Sequence, residues 1–75
     1  MHIKEMKPNS EGRILRFTAG TAEYRQRLLI LDITPGTPFR LVRVAPLGDP
    51  VEIQVRGSLI SLRKDEADVL EVAPQ

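Results

Sequence analysis

The hydrophobic pattern is most regular just after the middle of the chain. In residues 51–56 apolar and polar residues alternate, so that Val51, Ile53 and Val55 would face one side of a strand. The preceding residues 46–50 read Pro-Leu-Gly-Asp-Pro, and two prolines beside a Gly-Asp pair are typical of a tight, rigid turn. Because residues 39–44 before this turn are also largely apolar, the pattern predicts two strands joined by it.

Shorter runs predict the rest of the secondary structure. One helix is expected between the first two strands, and Lys-Asp-Glu-Ala-Asp at 64–68 predicts one helical turn before the last strand. Residues 1–6 are expected to form a short extended arm in which Ile3 and Met6 make the apolar contacts. The five predicted strands cover residues 13–18, 39–44, 51–56, 59–63 and 69–72.

The predicted helix begins at Thr21, whose hydroxyl can cap the first turn, and runs to about Asp32. Tyr24, Leu28 and Leu31 recur at i, i+4 and i+7 and form one apolar stripe. The helix must end there because a Thr-Pro-Gly turn follows, and the residue before a proline disfavours helical backbone.

Leu29 and Ile30 lie on either side of this stripe, and two interpretations of them stay open. They either widen the apolar face of a helix that crosses the open end of a barrel, or they form a surface for a protein partner. The wider core face is the commoner arrangement.

Five short strands and one helix define the expected fold class. A small antiparallel sheet must bury one face and remove its exposed edges, and curling into a barrel achieves both. We therefore expect a mostly β protein, a small SH3-like barrel of about five antiparallel strands with one helix inserted after the first strand. Residues 1–75 are expected to form a single domain, since 75 residues suffice for one small domain at most.

The turn at 46–50 has a structural and a functional interpretation, and both stay open. Pro46 and Pro50 fix φ, and Gly48 relieves a tight bend. Asp49 can bond nearby backbone amides. The same turn presents Leu47 to solvent on a rigid support, which suits an anchor for a protein partner.

Composition narrows the function classes. The 11 basic and 10 acidic residues give a net charge of +1, whereas binding to nucleic acid phosphates normally requires a clear basic excess. One tyrosine, two phenylalanines and no tryptophan supply few aromatic rings for stacking on bases. The strand arginines are interpreted as a solvated sheet face with cross-strand partners such as Glu52, and a nucleic-acid-binding barrel is the less favoured alternative. These arginines are Arg40, Arg43, Arg56 and Arg63.

The chain contains no cysteine, so disulfides and thiolate metal sites are excluded and a reducing cytoplasm is the expected compartment. No run of about 18 apolar residues is present, and the first residues lack the apolar core of a signal peptide. Direct membrane insertion is therefore not expected.

The residues offer little for catalysis or metal binding. His2 is the only histidine and lies in a terminus expected to fray, which makes it a weak candidate metal ligand. Asp65, Glu66 and Asp68 are clustered, but they fit a solvated helical turn better than a metal site. The serines and threonines have no convincing general base, and neither a P-loop nor a dinucleotide fingerprint is present. We expect neither enzymatic activity nor a resident cofactor.

Several short motifs follow one another in a specific order. They are Tyr-Arg-Gln-Arg-Leu-Leu at 24–29, Pro-Gly at 35–36, Arg-Val-Ala-Pro-Leu-Gly-Asp-Pro at 43–50, Val-Arg-Gly at 55–57 and Leu-Arg-Lys-Asp-Glu-Ala at 62–67. In this order they resemble the ferrous-iron transport protein A family (FeoA), over nearly the whole chain. The chain departs from the family pattern at Asp32 and Asn9, where glycine is usual, and both residue types tolerate left-handed backbone.

This resemblance implies an SH3-like barrel of the kind found at the C-terminus of iron-dependent repressors of the diphtheria-toxin-repressor type. It implies a small, non-enzymatic, cytoplasmic accessory of ferrous iron uptake. The implied partner is the large membrane permease of the same system, FeoB, with its cytosolic GTP-binding domain. Binding of Fe²⁺ or another transition metal is also implied, although the sequence supplies no evident ligand set.

The leading hypothesis is therefore docking on the cytosolic GTP-binding domain of FeoB through Leu29, Ile30 and the turn at 46–50. The first alternative is a metal-sensing module in which His2 and carboxylates bind ferrous iron. The second alternative is the nucleic-acid-binding barrel that uses the strand arginines.

Overall fold

A computed structural model describes residues 1–18, 20 and 22–75, and it contains the predicted order of strands and helices. The one longer helix follows the first strand, as predicted, and every strand lies within two residues of its predicted bounds. A single helical turn precedes the last strand. In chain order the elements are β1 (Glu11–Phe17), α1 (Ala22–Ile30), β2 (Pro38–Val44), β3 (Val51–Val55), β4 (Ser58–Leu62), α2 (Lys64–Asp68) and β5 (Leu70–Pro74).

The five strands form one sheet in the order β4-β3-β2-β1-β5, and every neighbouring pair is antiparallel. Leu41 of β2 is opposite Ile53 of β3, which is opposite Ile60 of β4, so one face of the sheet carries apolar residues in register. This face packs against side chains from both helices and from the N-terminal residues. The largest side chains with no more than 1% exposure are Ile3, Ile14, Leu28, Ile33, Leu41, Ile53, Leu62, Leu70 and Val72.

The N-terminal residues differ from the predicted extended arm. Residues Ile3–Glu5 form a short 3-10 helix, and the side chain of Ile3 is fully buried in the core. Met1 exchanges backbone hydrogen bonds with Val72, and His2 bridges to Glu71, so this segment covers the outer edge of β5. The prediction of an extended arm is therefore wrong for residues 3–5. The opposite edge strand, β4, has no strand partner on its outer side among the described residues.

Helix α1 attaches to the core through the predicted stripe. Leu28 is fully buried, and Tyr24 and Leu31 are partly buried against the core cluster. Leu29 and Ile30 are 49% and 74% exposed, so the interpretation of these two residues as a wider core face is wrong. The predicted cap at Thr21 lies outside the described residues.

Helix α1 ends two residues earlier than predicted, in a Schellman motif. The amide of Asp32 donates to the Leu29 carbonyl at 3.0 Å, and the amide of Ile33 donates to the Leu28 carbonyl at 2.9 Å. Asp32 takes the left-handed position of this motif with φ of 61°. Asn9, the other position where the resemblance to FeoA leads us to expect glycine, has φ of 69°. Both substitutions therefore occur where the backbone itself needs a residue that tolerates positive φ.

We expect Asp32→Val to lower the free energy of unfolding by about 1–2 kcal/mol, because a β-branched residue is disfavoured in left-handed backbone. Asp32→Gly should be at least as stable as the wild type. Urea denaturation of the three proteins measures the difference. Equal stability of the valine variant and the wild type would contradict this account of the helix end.

Candidate partner-docking surface

The turn at 46–50 presents its leucine to solvent on a defined backbone. Gly48 has φ of +86°, and its amide donates to the Ala45 carbonyl at 2.7 Å. The Ala45 amide donates to the Pro50 carbonyl at 3.1 Å, which joins the two sides of the turn. Leu47 at the tip is 94% exposed. The residues thus combine a fixed backbone with an apolar side chain that makes almost no contact with the rest of the chain.

Asp49 fastens this turn to α2. Its Oδ1 accepts a hydrogen bond of 3.1 Å from the Lys64 amide, the first amide of α2. The Asp49 carboxylate thus does bond a backbone amide, but that amide lies 15 residues away along the chain. The Asp49 carboxylate also places a negative charge at the start of α2, where backbone amides lack intrahelical partners.

A groove of about 580 Å³ separates α1 from the end of β4. Glu23, Tyr24 and Arg27 of α1 form one wall, residues 61–63 form the other, and Pro50 of the turn also lines it. The groove therefore brings the turn at 46–50 next to the first half of α1.

The two exposed apolar residues of α1 are placed differently relative to this groove. Ile30 follows Glu23 by seven residues and Arg27 by three, so it lies on the groove side of the helix. Leu29 is 100° away around the axis and lies on the other side of the exposed face. Helix geometry thus puts Ile30 on the groove side of α1 and Leu29 away from it, and Pro50 is the residue of the turn that lines the groove.

Beneath the groove lies a carboxylate that the sequence analysis placed in solvent. Glu66 of α2 is 2% exposed, and both its carboxylate oxygens lie 2.6 Å from Nη1 of Arg27. Its Oε1 also accepts a hydrogen bond of 2.8 Å from the Arg63 amide. The prediction of a solvated acidic turn is therefore wrong for Glu66, while Asp65 is exposed and Asp68 is half-buried.

The charge of Glu66 is stabilised despite its burial. Burial raises the pKa of the Glu66 carboxyl, but the hydrogen bonds from Arg27 and Arg63 and the charges of both arginines outweigh it, so the pKa lies below its ordinary value of 4.5. One sequence signal could have revealed this role. Glu66 is the third residue of a predicted helical turn, from which a glutamate side chain can reach back to the amide at the helix start.

Comparison with known proteins identifies the family. The family model of the FeoA domain matches residues 1–74. The chain belongs to the FeoA family.

Relatives of known structure and name are consistent with this assignment. An Fe(2+) transport protein A/Fe(2+) transporter FeoB fusion protein of Porphyromonas gingivalis is 31% identical over 72 residues, which are 96% of this chain and 8% of that protein. The solution structure of iron(II) transport protein A from Clostridium thermocellum is 34% identical with a TM-score of 0.87 and covers 99% of this chain and 45% of that one. The crystal structure of T. acidophilum IdeR is 25% identical with a TM-score of 0.91 and covers 100% of this chain and 34% of that one.

The chain thus spans less than half the length of each of these relatives. The fold is the small SH3-like fold of FeoA proteins, as predicted.

In this FeoA chain two of the four strand arginines, Arg40 and Arg43, are paired with acids, as predicted for a solvated face. Arg43 forms an ion pair with its cross-strand neighbour Glu52, and Arg40 lies 3.0 Å from Glu11. Arg56 instead donates to the Asp32 carbonyl at 3.1 Å. Because carboxylates offset Arg40 and Arg43, these positions form no uncompensated basic patch for nucleic acid.

The metal-sensing alternative finds little support in the geometry. Nδ1 of His2 lies 3.0 Å from the Leu70 carbonyl oxygen. Within residues 1–18, 20 and 22–75, no group of three or more histidine or acidic side chains is arranged to hold a metal ion.

In the same part of the chain, no helix is long and apolar enough to cross a membrane.

We expect the Arg27–Glu66 pair to make stability pH-dependent. A carboxyl whose pKa is lowered by folding adds stability that is fully present above its unfolded-state pKa, and this is lost as pH falls through the folded-state pKa. Replacing Glu66 by glutamine should cost about 1–3 kcal/mol near neutral pH, since hydrogen bonds to a charged group are lost. The difference in unfolding free energy between Glu66→Gln and the wild type should therefore shrink as the pH falls below 4.5, the ordinary pKa of this carboxyl.

Urea denaturation of both proteins across this pH range measures the difference. Glu11→Gln is the control, because its exposed pair with Arg40 should contribute at most about 1 kcal/mol. A Glu66→Gln difference that is the same at all pH values would show that the carboxylate charge is not what stabilises this contact.

Proposed function

We propose that this chain is a non-enzymatic accessory of ferrous iron uptake that acts in the cytoplasm by binding the cytosolic GTP-binding part of a FeoB-type permease. Membership of the FeoA family supports the link to ferrous iron. The Porphyromonas gingivalis relative, named as a fusion of Fe(2+) transport protein A with the transporter FeoB, supports association with that permease. Residues 1–75 act as one FeoA domain in this proposal.

The observation that carries the proposal is the exposure of Leu47, on a turn whose Pro50 lines the groove, and of Ile30, on the groove side of α1. A leucine that is 94% exposed gains nothing for folding, but it can bury its full side chain in a partner. The turn that holds it is already ordered by hydrogen bonds of Gly48 and Asp49. A surface that is ordered before binding loses less conformational entropy when the complex forms.

Two observations support a binding role over an enzymatic one. Nδ1 of the only histidine lies 3.0 Å from the Leu70 carbonyl oxygen, a backbone group and not a nucleophile. The groove itself is floored by Glu66, whose carboxylate is occupied by Arg27 and the Arg63 amide.

The test is calorimetric titration of the chain against the purified cytosolic GTP-binding domain of a FeoB-type permease. Leu47→Asp and Ile30→Asp should each weaken binding at least about tenfold, equivalent to a loss of about 1.4 kcal/mol. Leu29→Asp should weaken binding less, because Leu29 is exposed on α1 but on the side away from the groove.

Leu59→Asp is the matched control, since Leu59 is 60% exposed and belongs to neither α1 nor the turn. It should bind like the wild type. Circular dichroism of each variant verifies folding. Wild-type affinity in both Leu47→Asp and Ile30→Asp would disprove the proposed surface.

A further inference from the structure

Helix α2 is joined by polar contacts to both parts of the proposed docking surface. On one side, the Lys64 amide donates to Asp49 of the turn at 46–50, and the Lys64 side chain passes beside Gly48. On the other side, Glu66 binds Arg27 of α1. The two contacts lie within the first turn of one five-residue helix.

We propose that α2 sets the position of α1 relative to the turn at 46–50, with Glu66 as the positioning residue of the docking surface. This inference rests on the proposed function for its consequence in binding. Its structural part concerns this chain alone and can be measured without a partner.

Glu66 gives α1 a directional contact in addition to its apolar ones. Leu28, Tyr24 and Leu31 hold α1 against the sheet through apolar contacts, which are non-directional. A small roll of α1 about its axis changes the area buried by these contacts only slightly, whereas a large roll would expose Leu28. The Arg27–Glu66 contact is directional, and it fixes which side of α1 faces the groove.

The consequence for docking follows from helix geometry. Ile30 is three residues beyond Arg27 on the same side of α1, about 4.5 Å along the axis. A roll that separates Arg27 from Glu66 therefore also changes the position of Ile30 relative to the groove and to the turn at 46–50. Such a roll would leave a buried carboxylate without its charged partner, which is strongly unfavourable.

The other ion pairs do not have this role. Arg43 and Glu52 join strands β2 and β3, and Arg16 and Glu71 join β1 and β5. In both cases the strands are already held together by their backbone hydrogen bonds. Replacing either acid should leave the relative positions of the elements unchanged.

The absence of cysteine allows a direct distance measurement. Leu47→Cys and Gln26→Cys place two spin labels on exposed positions of the turn and of α1. The distance distribution between the labels should be narrow in the otherwise unchanged chain. It should broaden or shift when Glu66→Gln or Asp49→Ala is added, and Glu52→Gln is the control that should leave it unchanged.

A folded Glu66→Gln protein with the unaltered distribution would overturn the inference. If Glu66→Gln does not fold, the double variant Arg27→Met with Glu66→Met replaces it, because removing both partners leaves no unpaired buried charge. The same broadening or shift is expected from that variant. An unchanged distribution there would equally overturn the inference.

The binding measurement with the permease domain forms the second arm, without spin labels. Glu66→Gln should bind about threefold to tenfold more weakly than the wild type, and Glu52→Gln should bind equally well. Absence of binding by the wild type would refute the proposed function, while the distance measurement still decides whether α2 positions α1. An altered distance with unchanged affinity would show that Glu66 positions α1 but that docking does not depend on this position. It would refute Glu66 as the positioning residue of the docking surface and leave the proposed function intact.

Discussion

The buried carboxylate of Glu66 constrains the arrangement of the whole helical side of the molecule. A charge removed from water must be met by donors, and here the donors are the Arg27 guanidinium of α1 and the Arg63 amide. A chain of 75 residues has a thin core, so α1 is attached by few apolar side chains. The Arg27–Glu66 contact therefore orients α1, whereas apolar burial only attaches α1 to the sheet. Displacing α1 would break that contact without substituting another for Glu66.

The strands could be predicted from the sequence because their periodicity is local. Val51, Ile53 and Val55 show the period of two directly, and the residues between strands are those that turns require. The structure of the N-terminal segment was harder to predict, because it depends on contacts with residues far away along the chain. Ile3 is buried and Met1 pairs with Val72, 71 residues away along the chain. No local pattern in residues 1–6 indicates that contact.

The candidate site was predictable only in part, for the same reason. The prolines and the glycine around Leu47 predicted a rigid turn with an exposed leucine, and the structure has one. The groove required α1 to pack beside β4, which follows from tertiary structure. The burial of Glu66 was missed because an acidic helical turn is ordinarily solvated. Leu29 and Ile30 are the opposite case, since apolar residues near a core stripe are ordinarily buried and these two are exposed.

The two edges of the sheet end differently, and this limits how copies of the chain could associate. Met1 and His2 cover the outer edge of β5, whereas the outer edge of β4 has no strand partner among the described residues. Strand β4 contains neither a charge nor a proline, the usual means by which edge strands resist pairing. Backbone pairing of two copies through β4 would consume the open edge of each. Such pairing involves two copies at a time, because each β4 has a single outer edge.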